Sequence, residues 1–580
     1  MTIAGSPDIY LLGISCNIHE SSAVLVRNGI LIAAAEEERF SRNKQERRFP
    51  ALSIAYCLRE AGISMRDVSY AGFYWQPWKG LLKRLWWLVR YFPASLQTLQ
   101  GGKPWRGSVG TLLSHIAVPF TLWRMGFRGK FYFVDHHLAH AASAFFVSPY
   151  ESAAILTVDL CGENCTTLLG RGGANGIRAD RRFYLPNSLG IFYAALTHFL
   201  GYQVNVDEYK VMGLASYGQP RFADTFAQMV RFEKGHLVND SSWFTFHTGS
   251  AICYSQRFLE VFGAPCPDEH HVEAQPYPDL AASGQRVLED VVLEMARWCK
   301  QETGAEDLCM AGGVALNCAA NGHLLDEHIF RNIWIQPAAG DAGCSLGIPF
   351  YIWHQLLGHP RRFVMEHAYW GPGYSETEVQ RAIQSHGLES RRVDDVERQA
   401  ARLLAEGQVI GWYQGRMEWG PRALGGRSIL ADPRRADMKT IINSKIKFRE
   451  PYRPFAPSVL EEDVEDYFHF SGASPYMSFV CRVRDEKKLT IPAVTHVDGT
   501  ARIQTVSRKH NPKYWNLIDE FRALTGVPIV LNTSFNVKGE PIVCTPEDAV
   551  QCFLNTDIDY LVIGDIICSR ARVRSDERLP

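Results

Sequence analysis

The chain is expected to be an α/β protein of two lobes, the first built twice over from one strand-rich unit and the second alternating helices with strands. Three observations carry that expectation. At 580 residues the chain is too long for one ordinary domain, and a composition of 46% hydrophobic and 21% charged residues is that of a protein folded throughout. A run of three short strands near the amino terminus returns near residue 153. Beyond residue 372 the pattern changes to helix alternating with strand.

The elements follow in order. Residues Ile9–Ser15, Ser22–Arg27 and Ile30–Ala35 alternate as strands, with Asn28-Gly29 suited to the tight turn of a hairpin. The pattern recurs at Ala153–Leu160, Thr166–Gly170 and Gly176–Phe183. Helical periodicity marks Leu280–Lys300 and Gly347–Leu357. Breakers and charges in Gly358-His359-Pro360-Arg361-Arg362, then Trp370-Gly371-Pro372-Gly373, place a linker at 358–372 between domains 1–357 and 373–580. In the second domain Val396–Glu406 reads as a helix and Val409–Tyr413 as a buried strand.

Charge and composition exclude several classes of function. With 61 basic and 62 acidic side chains the net charge is −1, so no overall field draws the protein to nucleic acid or to a membrane, and any anion site is local. Fourteen cysteines without a CxxC pair suit a reducing compartment, and Cys161 with Cys165 reads as two packed thiols. The start MTIAGSPDIY lacks the basic and apolar regions of a secretory signal, so a cytoplasmic location is expected. The uncharged run from Gly107 to Trp123 is short for a span, which needs about 20 apolar residues. The aromatic and basic segment Leu81–Arg90 has the composition to lie on a membrane or to line an acceptor pocket, but a packed helix with an exposed basic edge is the expectation.

Candidate chemistry begins at Asp135-His136-His137-Leu138-Ala139-His140, where strand Phe131–Val134 runs into a helix that Asp135 can cap. His136 and His140, four apart, share a helix face and can present two imidazoles to one ion. Asp159 closes Ile155–Val158, and Asp341 lies in the turn Pro337–Gly343 after Ile333–Gln336. A set of two histidines and two aspartates with open positions suits Fe(II), Mn(II) or Zn(II). Met310–Asn317 reads as strand, glycine turn and helix start, where Gly312 and Gly313 leave backbone bare to a nucleotide, with Asn317 following and Gly340 in the next such turn. His19, in the first hairpin turn, can take a proton from an attacking hydroxyl. The run Glu36–Lys44 reads as a solvated edge, with Lys44 counted beside His19 and Arg449 as a candidate catalytic residue.

In the second domain glycines and arginines alternate through Gly415–Ser428, which includes Arg422. Lys445, Lys447 and Arg449 stand at alternate positions, as on one face of a strand, with Phe448, Tyr452 and Phe455 between the charges as at a pocket wall. Arg502 and the run Asn532–Asn536, with Ser534 and Asn536, complete an anion-binding set, since guanidinium forks match phosphate oxygens.

With these residues the chain resembles the carbamoyltransferases of nodulation-factor and antibiotic-tailoring pathways over nearly its whole length. The most specific marks are His136-His137-Leu138-Ala139-His140, Glu208–Ala215, Pro337–Gly343, Gly420–Gly425 and Phe448–Pro457. The resemblance implies a Kae1-like first domain of the actin-like ATPase (ASKHA) superfamily joined to a YrdC-like α/β domain. It implies Fe(II), with Zn or Mn as alternatives, on His136, His140, Asp159 and Asp341, and His19 at the transfer site. Lys447 with Arg449, and Ser534 with Asn536, match signatures that hold ATP, with Mg2+, and carbamoyl phosphate; Lys210, Arg422 and Arg502 are counted with them. Glu20 and Asn187 depart from the family's pattern, which favours aspartate and histidine there.

The activity so implied is ATP-dependent carbamoyl transfer through carbamoyl adenylate to a hydroxyl or amine of a small secondary metabolite. No nucleic acid and no stable membrane association are expected, and a homodimer is left open. Two alternatives stand beside it: a threonylcarbamoyl-adenosine type of tRNA-modifying enzyme, and a non-enzymatic actin-like nucleotide switch.

Overall fold

The computed structural model describes residues 8–90, 92, 109–246 and 252–570. Two compact units divide the chain: one runs to Ser41 and from Gln45 to Met365, and the other takes Arg42–Lys44 and everything from Glu366 onward.

The first unit contains two five-stranded sheets. One is formed by Tyr10–Ser15 (β1), Ser22–Arg27 (β2), Ile30–Glu36 (β3), Val68–Phe73 (β4) and Lys130–Phe133 (β5), in the order β3-β2-β1-β4-β5. β1 is buried throughout, and Asn28 and Gly29 both take positive φ, 52° and 81°, as the two-residue turn between β2 and β3 requires. The other sheet is formed by Ala153–Gly162 (β6), Cys165–Gly173 (β7), Gly176–Tyr184 (β8), Asp307–Ala311 and Asn332–Ile335. Val230–Glu233 and His236–Asn239 form a small separate hairpin. Read from β8, the second sheet repeats the order of the first: three antiparallel strands, then two parallel ones. The first unit therefore has the duplicated actin-like plan.

A helix follows the last strand of each copy, His136–Phe145 in one and Asp341–Phe350 in the other. These two helices meet at a glycine: a Cβ on Gly347 would stand 1.8 Å from the Ala139 carbonyl oxygen. Beside them Ser22 Oγ lies 2.8 Å from Ser345 Oγ and donates to the Ala342 carbonyl at 3.0 Å. Small residues thus let backbone approach backbone where side chains would hold the layers apart.

Several expectations need correction. The helix after Pro337 begins at Asp341, earlier than Gly347, and Tyr351–Leu356 continues it as a wider turn after Pro349 removes a backbone donor. Asp159 does not end its strand. It lies where the β6–β7 ladder breaks between the Val158–Thr167 and Gly162–Cys165 pairs. The acidic run at Glu36 is no solvated edge either, since Glu36, Glu37 and Arg39 are buried. Glu37 accepts the Leu52 and Ser53 backbone N–H groups at 3.0 and 2.7 Å, filling the open amino end of helix Ala51–Ala61. Leu81–Arg90 is helical, but Leu85, Trp86 and Val89 face solvent, so its exposed edge is apolar as well as basic.

The second unit is an α/β lobe around an eight-stranded sheet. Ile410–Tyr413 is a fully buried strand. Ile529–Ser534 runs antiparallel to both its neighbours, Arg427–Ala431 and Ala456–Leu460. The segment around Lys447 is not a strand: Asn443–Lys447 is a wide helical turn and Phe448 is left-handed at φ 48°. Asn443 holds this form, accepting Arg449 N–H at its carbonyl, 3.1 Å, and Arg449 Nε at its side-chain oxygen, 2.7 Å. Alternate residues therefore do not share a face. Lys447 is buried, Lys445 is exposed and Phe448 is 55% exposed, while Tyr452 and Phe455 are buried.

Candidate active site

The helix His136–Phe145 starts at Asp135, whose carboxylate accepts the Leu138 N–H at 3.0 Å. Burial pushes this carboxyl up, but Arg182 at 3.0 Å and Lys79 at 2.6 Å hold it below the usual range. The cap is thus a fixed charge, and it sets the first turn that carries His136.

His136 and His140 bring their Nε2 atoms to 3.1 Å. Asp159 Oδ2 lies 3.3 and 3.1 Å from them, and Asp341 Oδ1 lies 3.8 Å from each. Donors placed 2.0–2.2 Å from one tetrahedral ion stand about 3.4 Å apart, so these four atoms are spaced as ligands of a single cation. Their chemistry fits as well, since two imidazoles and two carboxylates suit a divalent first-row ion. Burial raises the Asp159 carboxyl, yet its bonds to His136 and His140 bring it well below the usual range.

Residues distant in sequence hold these donors. A Cβ on Gly162 would fall 2.1 Å from the His136 ring, so only glycine leaves that ring its place. Tyr74 OH donates to Asp341 Oδ2 at 3.3 Å, and the Tyr74 and Trp75 rings pack on His136 with centroids 5.3 and 5.4 Å away. Glu163 Oε1 accepts the Gln76 N–H at 2.8 Å. The Cys344 thiol also lies within ligand reach of the two histidines. Tyr74, Gly162, Glu163 and Cys344 were missed from sequence, and no local pattern marks them. His137 turns away, its Nδ1 2.7 Å from Thr157 Oγ1.

His19 lies half-buried in the turn between β1 and β2, in the neighbourhood of Asp341 and Glu208. Loss of hydration first, then the neighbouring carboxylates Glu38, Asp341 and Glu36, push Glu20 up to about 8.

Of the nucleotide candidates in this unit, Gly312 has φ 95° and would place a Cβ 2.3 Å from the Val158 carbonyl oxygen, so packing by itself demands glycine there. A Cβ on Gly313 would stand 3.1 Å from Asp159 Oδ1. Asn317 caps helix Cys318–Asp326 and exchanges hydrogen bonds with Gln285 at 2.9 and 3.0 Å. Gly340 precedes the Asp341 helix. Lys210 is buried and paired with Glu269 at 2.8 Å and Asp207 at 3.2 Å.

In the second unit Lys447 joins two signatures that lie far apart in sequence. Its Nζ donates to the Ser534 carbonyl, to Ser534 Oγ at 3.2 Å, and to the carbonyl and Oδ1 of Asn536 at 2.9 and 2.7 Å. Burial first, and the Arg449 charge next, hold this amine well below the usual lysine range. Arg449 lies 4.6 Å over the Phe455 ring and donates to the Pro454 carbonyl at 3.2 Å. Arg502 ends strand Thr500–Arg502 with Nε buried and unpartnered. Lys44 is exposed, and its charge acts on Lys447.

The arginines of the glycine-rich run divide. Arg427 is buried, donates to the Gln414, Gly426, Pro372 and Gly415 carbonyls, and lies 3.6 Å over the Tyr413 ring. Arg416 donates to the Gly371 and Trp370 carbonyls at 3.0 and 2.9 Å. Arg422 is half-buried. Glu418, also missed from sequence, shapes the loop: its Oε1 accepts the Leu424, Gly426 and Arg427 N–H groups at 2.7, 2.7 and 3.2 Å.

Two family models match the chain, "Carbamoyltransferase N-terminus" over residues 10–349 and "Carbamoyltransferase C-terminus" over residues 401–570. An uncharacterized protein of Synechocystis, sll1178, is 42% identical over 595 residues, covering 97% of each chain. Nodulation protein NolNO of Sinorhizobium fredii is 42% identical over 563 residues, covering 95% of this chain and 79% of its own. Nodulation protein NolO of Bradyrhizobium diazoefficiens is 43% identical over 443 residues, with 75% and 78% covered.

Proposed function

This chain belongs to the carbamoyltransferase family and is a carbamoyltransferase, and on that premise we propose that it works by two ATP-dependent half-reactions, one in each unit. In the second unit carbamoyl phosphate and ATP give carbamoyl adenylate. Release of both phosphate and pyrophosphate consumes one water: its oxygen leaves with phosphate as the carbamoyl phosphate is cleaved, and a carbamate oxygen then attacks the α-phosphorus of ATP as pyrophosphate departs. Arg449, Arg502 and Arg422 are suited to offset the charge that gathers on the phosphates. The observation that carries this reading is the Lys447 amine bonded at once to Ser534 and Asn536, because it gathers the two signatures into one polar centre.

In the first unit the carbamoyl carbon is attacked by a hydroxyl or amine of a small-molecule acceptor. His19 takes the proton, and the bond to AMP breaks. His136, His140, Asp159 and Asp341 hold the cation, Fe(II) by family resemblance, which supplies Lewis-acid polarisation when bound. Asp135 and Tyr74 fix the first turn of the histidine helix and the Asp341 carboxylate.

The half-reactions separate in one experiment. Arg449→Ala is expected to abolish pyrophosphate release that depends on carbamoyl phosphate. His140→Ala is expected to keep much of that release while losing bound metal, read by elemental analysis, and transfer to acceptor, read as the mass of a carbamoyl group replacing hydrogen. Equal loss of both activities in both variants would remove the division of labour.

A further inference from the structure

Ten of the 23 exposed large hydrophobic side chains among the described residues fall between Trp78 and Met125. Exposed apolar residues scattered singly are ordinary, but a concentration of them marks an interaction surface. In helix Val109–Arg124 they form a stripe. Leu113, Ile116, Phe120 and Trp123 follow at helical spacing and are 61, 53, 59 and 53% exposed, while His115, Val118 and Leu122 of the same helix face the interior. The helix is thus apolar on its exposed face as well as its buried one, where a surface helix is usually polar outside. Phe120 and Trp123 stack with centroids 5.8 Å apart, and the Arg128 guanidinium lies 5.0 Å over the Trp123 ring. Helix Leu81–Arg90 also exposes Leu85, Trp86 and Val89, at 57, 58 and 77%.

Charge states what such a surface meets. From Val68 to Val134 the sequence holds nine lysines and arginines and no aspartate or glutamate. That leaves the rest of the chain at a formal −10 against −1 for the whole. Exposed aromatic and aliphatic side chains beside the exposed cations Arg124, Arg128 and Lys130 match the interfacial zone of an anionic bilayer, where rings sit at headgroup depth and basic groups meet lipid phosphate. No helix among the described residues is long and apolar enough to cross a membrane, so any contact through these helices is in the plane of the interface.

We propose that the outward face of helix Val109–Arg124 is a docking surface for an anionic lipid bilayer. The face lies outside the proposed catalytic groups, so its fate is independent of theirs.

Flotation of the full chain with extruded vesicles tests the assignment. Binding is expected to vesicles of phosphatidylcholine mixed with phosphatidylglycerol and not to phosphatidylcholine alone, and to weaken as added salt shortens the screening length from about 10 Å at 0.1 M to about 3 Å at 1 M. Arg124→Glu/Lys130→Glu is expected to lower the partition by at least about 5-fold per charge removed. Phe120→Ser/Trp123→Ser, which changes only exposed side chains, is expected to lower it about tenfold or more. Thermal unfolding like that of the parent shows that each variant is folded. Equal partition of the parent and both variants overturns the proposal, as does no binding to either vesicle. A parent dimer that Phe120→Ser/Trp123→Ser turns into monomer, without vesicle binding, gives the face to a second copy of the chain instead.

Discussion

His19 offers a test in which one atom's chemistry is separated from its shape. Asparagine keeps a polar group of similar reach in the turn but cannot take up a proton. Loss of one general base commonly costs about 10²–10⁴-fold, so His19→Asn is expected to slow acceptor carbamoylation by that order and to leave pyrophosphate release nearly intact. Single-turnover transfer from preformed carbamoyl adenylate reads the step directly, and a rate within a few-fold of the parent takes the histidine out of the mechanism. His136 and His140 were legible as a pair because a helix and its Asp135 cap turn sequence spacing into geometry. Tyr74 and Gly162 were not, because each acts on the donors through a contact that only the folded sheets create. Lys447 lay between: its partners were named, but the bonds joining it to Ser534 and Asn536 span 87 and 89 positions.

Among elements, the contact between helices His136–Phe145 and Asp341–Phe350 sets the distance between the imidazoles and Asp341. It depends on Gly347, where a methyl group would fall within bonding range of the Ala139 carbonyl. Gly347→Ala must therefore push the helices apart, an overpacking that typically costs about 1–3 kcal/mol. Denaturant unfolding is expected to show that loss, and elemental analysis to show weaker metal retention with every ligand intact. Unchanged retention would mean that the donors follow their strands rather than this helix pair. The strands were legible because alternation and the Asn28-Gly29 turn agree with one another. The segment at Lys447 misled because alternating charge imitates a strand, while the tie from Asn443 to Arg449 that bends it is a local hydrogen bond with no periodicity.

At the scale of the molecule, buried histidines tie stability to pH in both units, and burial holds His354 of the first down at about 4. His496 belongs to the second. Burial holds its imidazole down at about 4, against an ordinary value near 6.5, with the Asp498 charge opposing and the Arg502 and Lys439 charges assisting. Between those values the unfolded chain binds a proton that the folded chain refuses, so this contribution to stability is complete above about 6.5 and is lost as pH falls toward 4. Denaturant unfolding at stepped pH is expected to show a decline across that window that is shallower in His496→Asn; equal slopes would clear the residue. The duplicated first unit was legible from one repeated strand pattern, whereas the exposed apolar face of Val109–Arg124 was not, because an apolar run reads the same whether it faces inward or outward. That duplication also bears on where the donor set comes from. His136 opens the helix after the fifth strand of one copy, and Asp341 opens the corresponding helix of the other. They stand at equivalent places in the repeated plan. Two unaltered copies of the first half would offer imidazoles alone there, and two of the second carboxylates alone. The mixed coordination therefore requires the two halves to differ at this position, and a symmetric pair of either half would not supply it.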